Sequence, residues 1–212
     1  MKKFIFCTIL ALICIQFSFS QTEGKTFYIK PGIGFGLGVF YPTEINDYIK
    51  DDLSDYITTN ADLYANFFLR GSFGIQFNRY FVLEPVLEFA IAPKIIIGAD
   101  GSYIFGRVSP GILANFHIPV SNGKHSVFLG GGALFHYMWF EDYSGSTIGP
   151  AIQGGISLNF GKSLNPEAYA GVNFARTQGK YNGSIYIDHP GPPELQLAYT
   201  DFHLGLRVNF KL

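Results

Sequence analysis

Cysteine is almost absent from this chain: its two cysteines, Cys7 and Cys14, both lie within the first 20 residues. The remaining residues can form no disulfide, so an exported fold must be stabilised in another way. Charged residues are scarce too, at 15% of the chain against about 25% in an average soluble domain. After residue 20 no apolar run is long enough to span a bilayer as a helix.

Residues 1–20 have the order of a secretory signal peptide. Lys2 and Lys3 give a positive start, residues 4–17 are mostly apolar, and Ser18 and Ser20 are the small residues that a signal peptidase reads. We predict cleavage after Ser20, which leaves residues 21–212 as one domain. A membrane anchor is the alternative, but the apolar run is short for that role. Cleavage takes the basic residues from 15 to 13 against 16 acidic ones, a net charge of −3, which gives no basic surface for nucleic acid.

Aromatic residues, at 17%, and 25 glycines are abundant, and they recur with a period of two. In the last segment the apolar Phe202, Leu204, Leu206, Val208 and Phe210 alternate with Asp201, His203, Gly205, Arg207 and Asn209. This alternation places the two sets on opposite faces of one strand. Seven earlier segments follow the same pattern, namely residues 27–41, 63–77, 81–91, 102–118, 126–141, 147–161 and 167–178.

Eight such strands predict an all-β fold, an eight-stranded antiparallel up-and-down transmembrane β-barrel, because lipid offers the backbone no hydrogen-bond partners and only a closed barrel satisfies them. Short connections fall on one rim, and residues 42–62, 93–101, 142–146 and 179–197 fall on the other, which we expect to face outward from the cell. A soluble barrel with an apolar ligand cavity is the alternative. In that barrel the glycine-rich polar face would be the solvent-exposed exterior, for which glycine is a poor choice.

Aromatic side chains on the apolar face are expected to form two belts at the membrane interfaces. The predicted girdle comprises Phe27, Phe77, Phe81, Phe116, Phe160 and Phe210 near the short-turn rim, with Tyr41 and Trp139 toward the other rim. In residues 42–62, Ile45, Tyr48 and Ile49 recur at helical spacing and predict a short helix over the barrel mouth. Its acidic side is either a solvated face or a surface for a cation, lipopolysaccharide or a protein.

Charged residues on the inward face are expected to pair with one another, since a buried charge needs a partner. Counted from their shared turn, Arg70 and Glu88 stand at similar height on neighbouring strands, and Arg107 falls near the same level. We predict an Arg70–Glu88–Arg107 cluster in the lumen, with Glu84 below it. It acts either as a structural plug, the interpretation we favour, or as a gate or proton path.

No pattern points to catalysis, a cofactor or a metal site. The outward positions offer no Ser/His pair, and His117, His125, His136, His189 and His203 are scattered along the chain. The alternation of Gly34, Gly36 and Gly38 lacks the strand–turn–helix context of a nucleotide-binding loop. We therefore expect a non-enzymatic protein with a structural or surface-interaction role through its outer loops. Small-solute or ion transport, and lipid modification by an enzyme, are the alternatives.

The glycine-alternating first strand and the polar-alternating last strand resemble small outer-membrane barrels of the OmpA/OmpX type, and more narrowly the PorT-like "outer membrane protein beta-barrel domain" family. The resemblance implies a place in the cell outer membrane of a Gram-negative bacterium, contact with its lipid and lipopolysaccharide, and insertion by the barrel-assembly machinery. That machinery reads the final strand, which here ends Phe210-Lys211-Leu212. The resemblance carries no functional residue over to this chain, and an extracellular or periplasmic protein partner is left open.

Overall fold

A computed structural model describes residues 26–40, 63–95, 102–120, 125–158, 160, 164–183 and 194–211. These residues form eight strands: β1 (Thr26–Phe40), β2 (Leu63–Gln76), β3 (Phe81–Ile95), β4 (Ser102–Val120), β5 (His125–Phe140), β6 (Tyr143–Leu158), β7 (Leu164–Tyr181) and β8 (Glu194–Lys211). Each strand pairs with its neighbour in sequence, and β8 pairs antiparallel with β1 to close the ring. The predicted eight-stranded antiparallel barrel is confirmed.

Two tight turns show how the ends of the barrel are built. At one end, the Asn78 side chain accepts hydrogen bonds from the backbone N–H groups of Tyr80 and Phe81, at 2.8 and 2.9 Å, and so closes the β2–β3 turn. At the other end, Glu141 and Asp142 alone connect β5 to β6, and Glu141 has a φ of 48°. We call the first the terminal end, because β1 starts and β8 ends there, and the second the distal end.

At the distal end, the strands extend further than the alternation predicted. β8 begins at Glu194 and β7 continues to Tyr181, so part of the expected 179–197 loop is strand. The expected connection over 142–146 is replaced by the Glu141–Asp142 turn. The sequence pattern missed these extensions because the inward residues Leu195 and Leu197 are apolar there, which interrupts the alternation. The predicted helix over 42–62 and the 1–20 segment lie outside the described residues. Among the described residues, no helix has the length and apolarity needed to cross a membrane.

The outer surface carries an apolar band around the barrel. Its members are large exposed side chains such as Ile33, Leu69, Leu87, Ile112, Leu129, Ile152 and Leu206. Above this band, at the distal end, β7 exposes Arg176, Gln178 and Lys180 instead. A water-soluble barrel would not expose the first set, whereas a lipid-embedded one requires it.

Most of the predicted aromatic girdle faces outward. Phe27, Phe116, Phe160 and Phe210 are exposed, and Phe81 and Trp139 are partly exposed. Phe77 departs from the prediction: it retains only 8% exposure. It lies just past the end of β2, where strand parity no longer holds, and its ring packs 5.8 Å from that of Phe81. Tyr41 lies outside the described residues.

Several outward-facing prolines coincide with breaks in the hydrogen-bonded ladders. The β1–β8, β2–β3 and β4–β5 ladders are interrupted at Pro31, Pro85 and Pro110, because proline has no N–H to donate. The longest break among the described strands lies in the β6–β7 ladder, where residues 145–150 of β6 and residues 174–179 of β7 are not paired. There the Thr177 hydroxyl donates to the Ser146 carbonyl at 2.9 Å. We call this segment the β6–β7 seam.

Candidate functional site

The lumen is the site of interest, because the strands turn their polar side chains into it. The buried charges of the described lumen balance. Four are basic (Lys30, Arg70, Arg107 and Arg207) and four are acidic (Glu84, Glu88, Glu167 and Asp201). Each has at most 3% exposure. Buried charges on this scale require direct partners, and the lumen supplies them in two clusters.

The upper ion-pair cluster (Arg70, Glu88, Arg107 and Asp201) lies nearer the distal end. Arg70 donates from Nε and Nη2 to one oxygen of Glu88, at 2.9 and 2.6 Å. Arg107 Nη2 donates to the other Glu88 oxygen at 2.5 Å and to Asp201 at 2.7 Å. The structure thus brings together Arg70, Glu88 and Arg107, as the register argument expected. Asn66 Nδ2 also donates to Asp201, at 2.6 Å.

The lower ion-pair cluster (Lys30, Glu84, Glu167 and Arg207) lies nearer the terminal end. Glu84, placed below the Arg70 cluster from sequence, pairs here with Lys30 and with Arg207, whose Nη1 lies 3.0 Å away. Arg207 also pairs with Glu167, to which it is directly opposite in the β7–β8 ladder. Gln153 links the two clusters: it accepts from Arg70 at 2.8 Å and donates to Glu84 at 3.4 Å.

Aromatic rings cover the guanidinium faces that the carboxylates leave free. The Tyr169 ring lies between two of them, 5.0 Å from Arg70 Cζ and 5.0 Å from Arg207 Cζ. Tyr199 covers Arg107 at 4.8 Å. Cation–π contacts of this kind stabilise a desolvated cation by about 2 kcal/mol. The arginines are therefore held on their edges by ion pairs and on their faces by rings.

The distal third of the lumen has the opposite character. A distal apolar cluster fills it, comprising Ala92, Phe105, Met138, Phe140, Tyr143, Ala175, Leu195, Leu197 and Tyr199. Most of these side chains have no more than 3% exposure. At this level the outside of β7 is polar, whereas β4 still exposes the apolar Ile104. The interior of the barrel therefore changes from polar to apolar toward the distal end, and the outside changes on β7.

One histidine contact inside the lumen has the residue types of a nucleophile and a base. Ser109 Oγ and Tyr199 OH each lie 2.9 Å from His136 Nδ1. Neither the Ser109 hydroxyl nor the His136 imidazole is exposed. They lie between the upper ion-pair cluster and the distal apolar cluster. His136 Nε2 has no hydrogen-bond partner in the described residues, so no carboxylate orients the ring as in a catalytic triad.

Glycines on the inward face make room for these side chains. A Cβ added to Gly36 would lie 2.6 Å from Asp201 Oδ1 and 2.8 Å from Asn66 Nδ2. A Cβ on the outward Gly71 would meet nothing within 4 Å. The inward glycines of β1 therefore provide space for long polar residues from other strands.

Glu167 was not part of the luminal cluster predicted from sequence, and no partners were predicted for Arg207 and Asp201. The available signal was the β7–β8 register, since Glu167 stands opposite Arg207. Contacts across the barrel, such as Arg107 to Asp201, had no such signal. Among the described residues, no group of three or more His, Cys, Asp or Glu is placed to hold a metal ion.

Comparison with solved structures shows the fold of small outer-membrane barrels. Neisserial surface protein A matches with a TM-score of 0.57 at 15% identity, over 90% of this chain and all of that chain. The outer membrane protein OprG from Pseudomonas aeruginosa matches with a TM-score of 0.57 at 12% identity, over 91% of this chain and 98% of that chain. No family model matches the sequence, and no curated protein does.

Proposed function

We propose that this chain is a non-enzymatic integral protein of the bacterial outer membrane, whose lumen is filled by its own side chains and whose specific contacts are made by its distal loops. The observation that carries the proposal is the filling of the lumen at two levels. Two compensated ion-pair clusters occupy the middle, and the distal apolar cluster occupies the space above them. A barrel of eight strands has an interior that side chains can fill.

This arrangement supports a structural or surface-interaction role over transport. An ion crossing the barrel would have to separate partnered charges in the middle and then pass an apolar layer. Both steps are costly in a medium of low dielectric constant. The outward apolar band supports a place in lipid, and the polar distal exterior of β7 supports contact with lipopolysaccharide headgroups and with a protein partner outside the membrane.

Conductance in a planar bilayer tests the closed lumen. We expect the purified, folded barrel to give no discrete current steps, while a general porin inserted under the same conditions conducts. Steps whose number rises with the amount of protein would contradict the proposal and favour small-solute or ion transport.

Lipid chemistry is a second candidate, favoured only by the Ser109–His136 contact. Because both residues are enclosed, we expect lipid A mass spectra to be the same in cells with and without the protein. A mass difference that Ser109→Ala abolishes would overturn the non-enzymatic assignment.

The proposed location and maturation are tested together. We expect the protein to fractionate with the outer membrane and its mature N-terminus to be Gln21, following removal of residues 1–20. The finer assignment to the PorT-like family, and insertion by the barrel-assembly machinery, rest on the alternation in the first and last strands. Depletion of that machinery should reduce the amount of folded protein in the membrane.

A further inference from the structure

A half-enclosed cavity of about 290 Å³ lies at the terminal end of the lumen. The lower ion-pair cluster forms its floor through Lys30 and Glu167. The side walls come from the ends of several strands, with Tyr28 on β1, His117 on β4 and Asn209 on β8. The cavity is distinct from the filled region above it and opens in the opposite direction from the distal loops.

Three wall residues carry a polar atom that has no hydrogen-bond partner in the part of the chain that the structure describes. Asn209 Nδ2 donates to Glu167 Oε1 at 2.6 Å, and since a carboxylate can only accept, the orientation of the amide is set. Its Oδ1 is then left without a partner, as are Asn165 Oδ1 and His117 Nε2. Asn209 and His117 are 4% and 8% exposed. Buried polar atoms are rarely left unpaired, because each costs about 1–3 kcal/mol.

The charged groups in the floor of the cavity already have partners within the protein. Lys30 pairs with Glu84 and lies 3.6 Å from Glu167, and Glu167 also binds Arg207 and Asn209. An ionic ligand would have to compete with these contacts. Arg79 also lines the cavity, but it is exposed and stacks over the Tyr80 ring at 4.5 Å. The buried groups of the cavity are therefore suited to a neutral ligand, held by amide, hydroxyl and imidazole groups rather than by charge.

We propose that this cavity binds one ring of a neutral saccharide. A sugar hydroxyl is both a donor and an acceptor, so it can satisfy the amide oxygens of Asn165 and Asn209 and either protonation state of His117 Nε2. The Tyr28 ring supplies an apolar wall for the face of a sugar ring. The volume, at the small end of the about 300–1,000 Å³ range of ligand pockets, admits a single ring. In the proposed orientation the cavity faces the periplasm, where its ligand is a free sugar or the end of a glycan chain.

Saturation-transfer NMR tests this binding on the folded full-length barrel, in a detergent without a sugar headgroup. The probes are glucose, N-acetylglucosamine and a soluble N-acetylglucosamine oligomer. We expect saturation transfer to ring protons of at least one probe. Binding of the oligomer alone identifies a glycan end as the ligand, whereas equal binding of a monosaccharide identifies a free sugar.

Two variants and a control separate a real site from non-specific contact. Asn165→Ala and His117→Phe each remove one unpaired polar atom, and each should weaken binding by about 3- to 10-fold, the effect of one neutral hydrogen bond. Asn182→Ala, an asparagine at the distal end, should bind as the wild type does. Urea unfolding of all three variants establishes that they are folded. Absence of transfer from every probe, or equal affinity in all variants, would overturn the proposal.

Discussion

Arg207 on β8 reaches across the lumen to Glu84 on β3, with Nη1 and Oε2 3.0 Å apart. The two strands are not neighbours in the barrel, so this ion pair connects opposite walls rather than adjacent ones. Similar links join Arg70 to Gln153 and Arg107 to Asp201. Side-chain contacts between non-adjacent strands therefore stabilise the barrel from inside, in addition to its backbone ladders.

Glu88→Ala should destabilise the folded barrel strongly. Glu88 accepts from both Arg70 and Arg107 and has no exposure. Its removal leaves buried positive charge without compensation, and breaking a buried pair in this way costs about 3–5 kcal/mol. Urea unfolding in detergent micelles, followed by the heat-modifiable shift in gel migration, measures the change. Glu194→Ala, an exposed carboxylate at the distal end, is the control; equal effects from the two variants would show that the upper cluster is not stabilising.

A pair of glycine substitutions tests the packing of the lumen. Gly36→Ala places a methyl group against Asp201 and Asn66 and should reduce stability by about 1–3 kcal/mol through overpacking. Gly71→Ala adds the same group where nothing lies within 4 Å. We expect it to leave the unfolding midpoint unchanged or to raise it slightly. The reverse order of stabilities would mean that the inward and outward faces had been exchanged.

Leu206→Arg tests whether the apolar band is immersed in lipid. Leu206 is 64% exposed and lies between Phe202 and Phe210 along the outer face of β8. An arginine near the middle of a bilayer destabilises a barrel by about 2–4 kcal/mol, and one near an interface by about 0–1 kcal/mol. Gln178→Arg, above the band on β7, should therefore have little effect on unfolding in lipid vesicles. If both variants were equally stable in vesicles, the band would not be the membrane-facing surface.

The β6–β7 seam should open more readily than the β7–β8 pairing. The backbone ladder is broken between residues 145–150 and 174–179, whereas β7 and β8 pair continuously from Leu164 to Lys180. Amide hydrogen exchange, resolved by residue, should therefore be faster for N–H groups that point into the seam. Thr177→Val removes the hydroxyl that donates to Ser146 and should accelerate that exchange further. Uniform protection across both sides of β7 would contradict the assignment.

Ion pairs between neighbouring strands could be predicted from the sequence where the register of the two strands could be predicted. Arg70 and Glu88 are related by a tight turn, so counting residues from that turn placed them at similar height, and the structure pairs them directly. Arg107 followed from the next strand by the same argument. Glu84 was placed at a correct level but without its partners, since Lys30 and Arg207 reach it from β1 and β8.

Alternation of bulky apolar residues with small or polar ones by itself determined the number of strands, the inward and outward faces of their central residues and hence the barrel. This local pattern suffices because a strand sends successive side chains to opposite faces and lipid admits only a closed sheet. Only the tertiary structure decided which charges meet across the lumen, where its polar interior becomes apolar, and that a cavity remains at the terminal end. Those features depend on how long side chains from non-adjacent strands share one enclosed space, and no periodicity along the chain specifies such contacts.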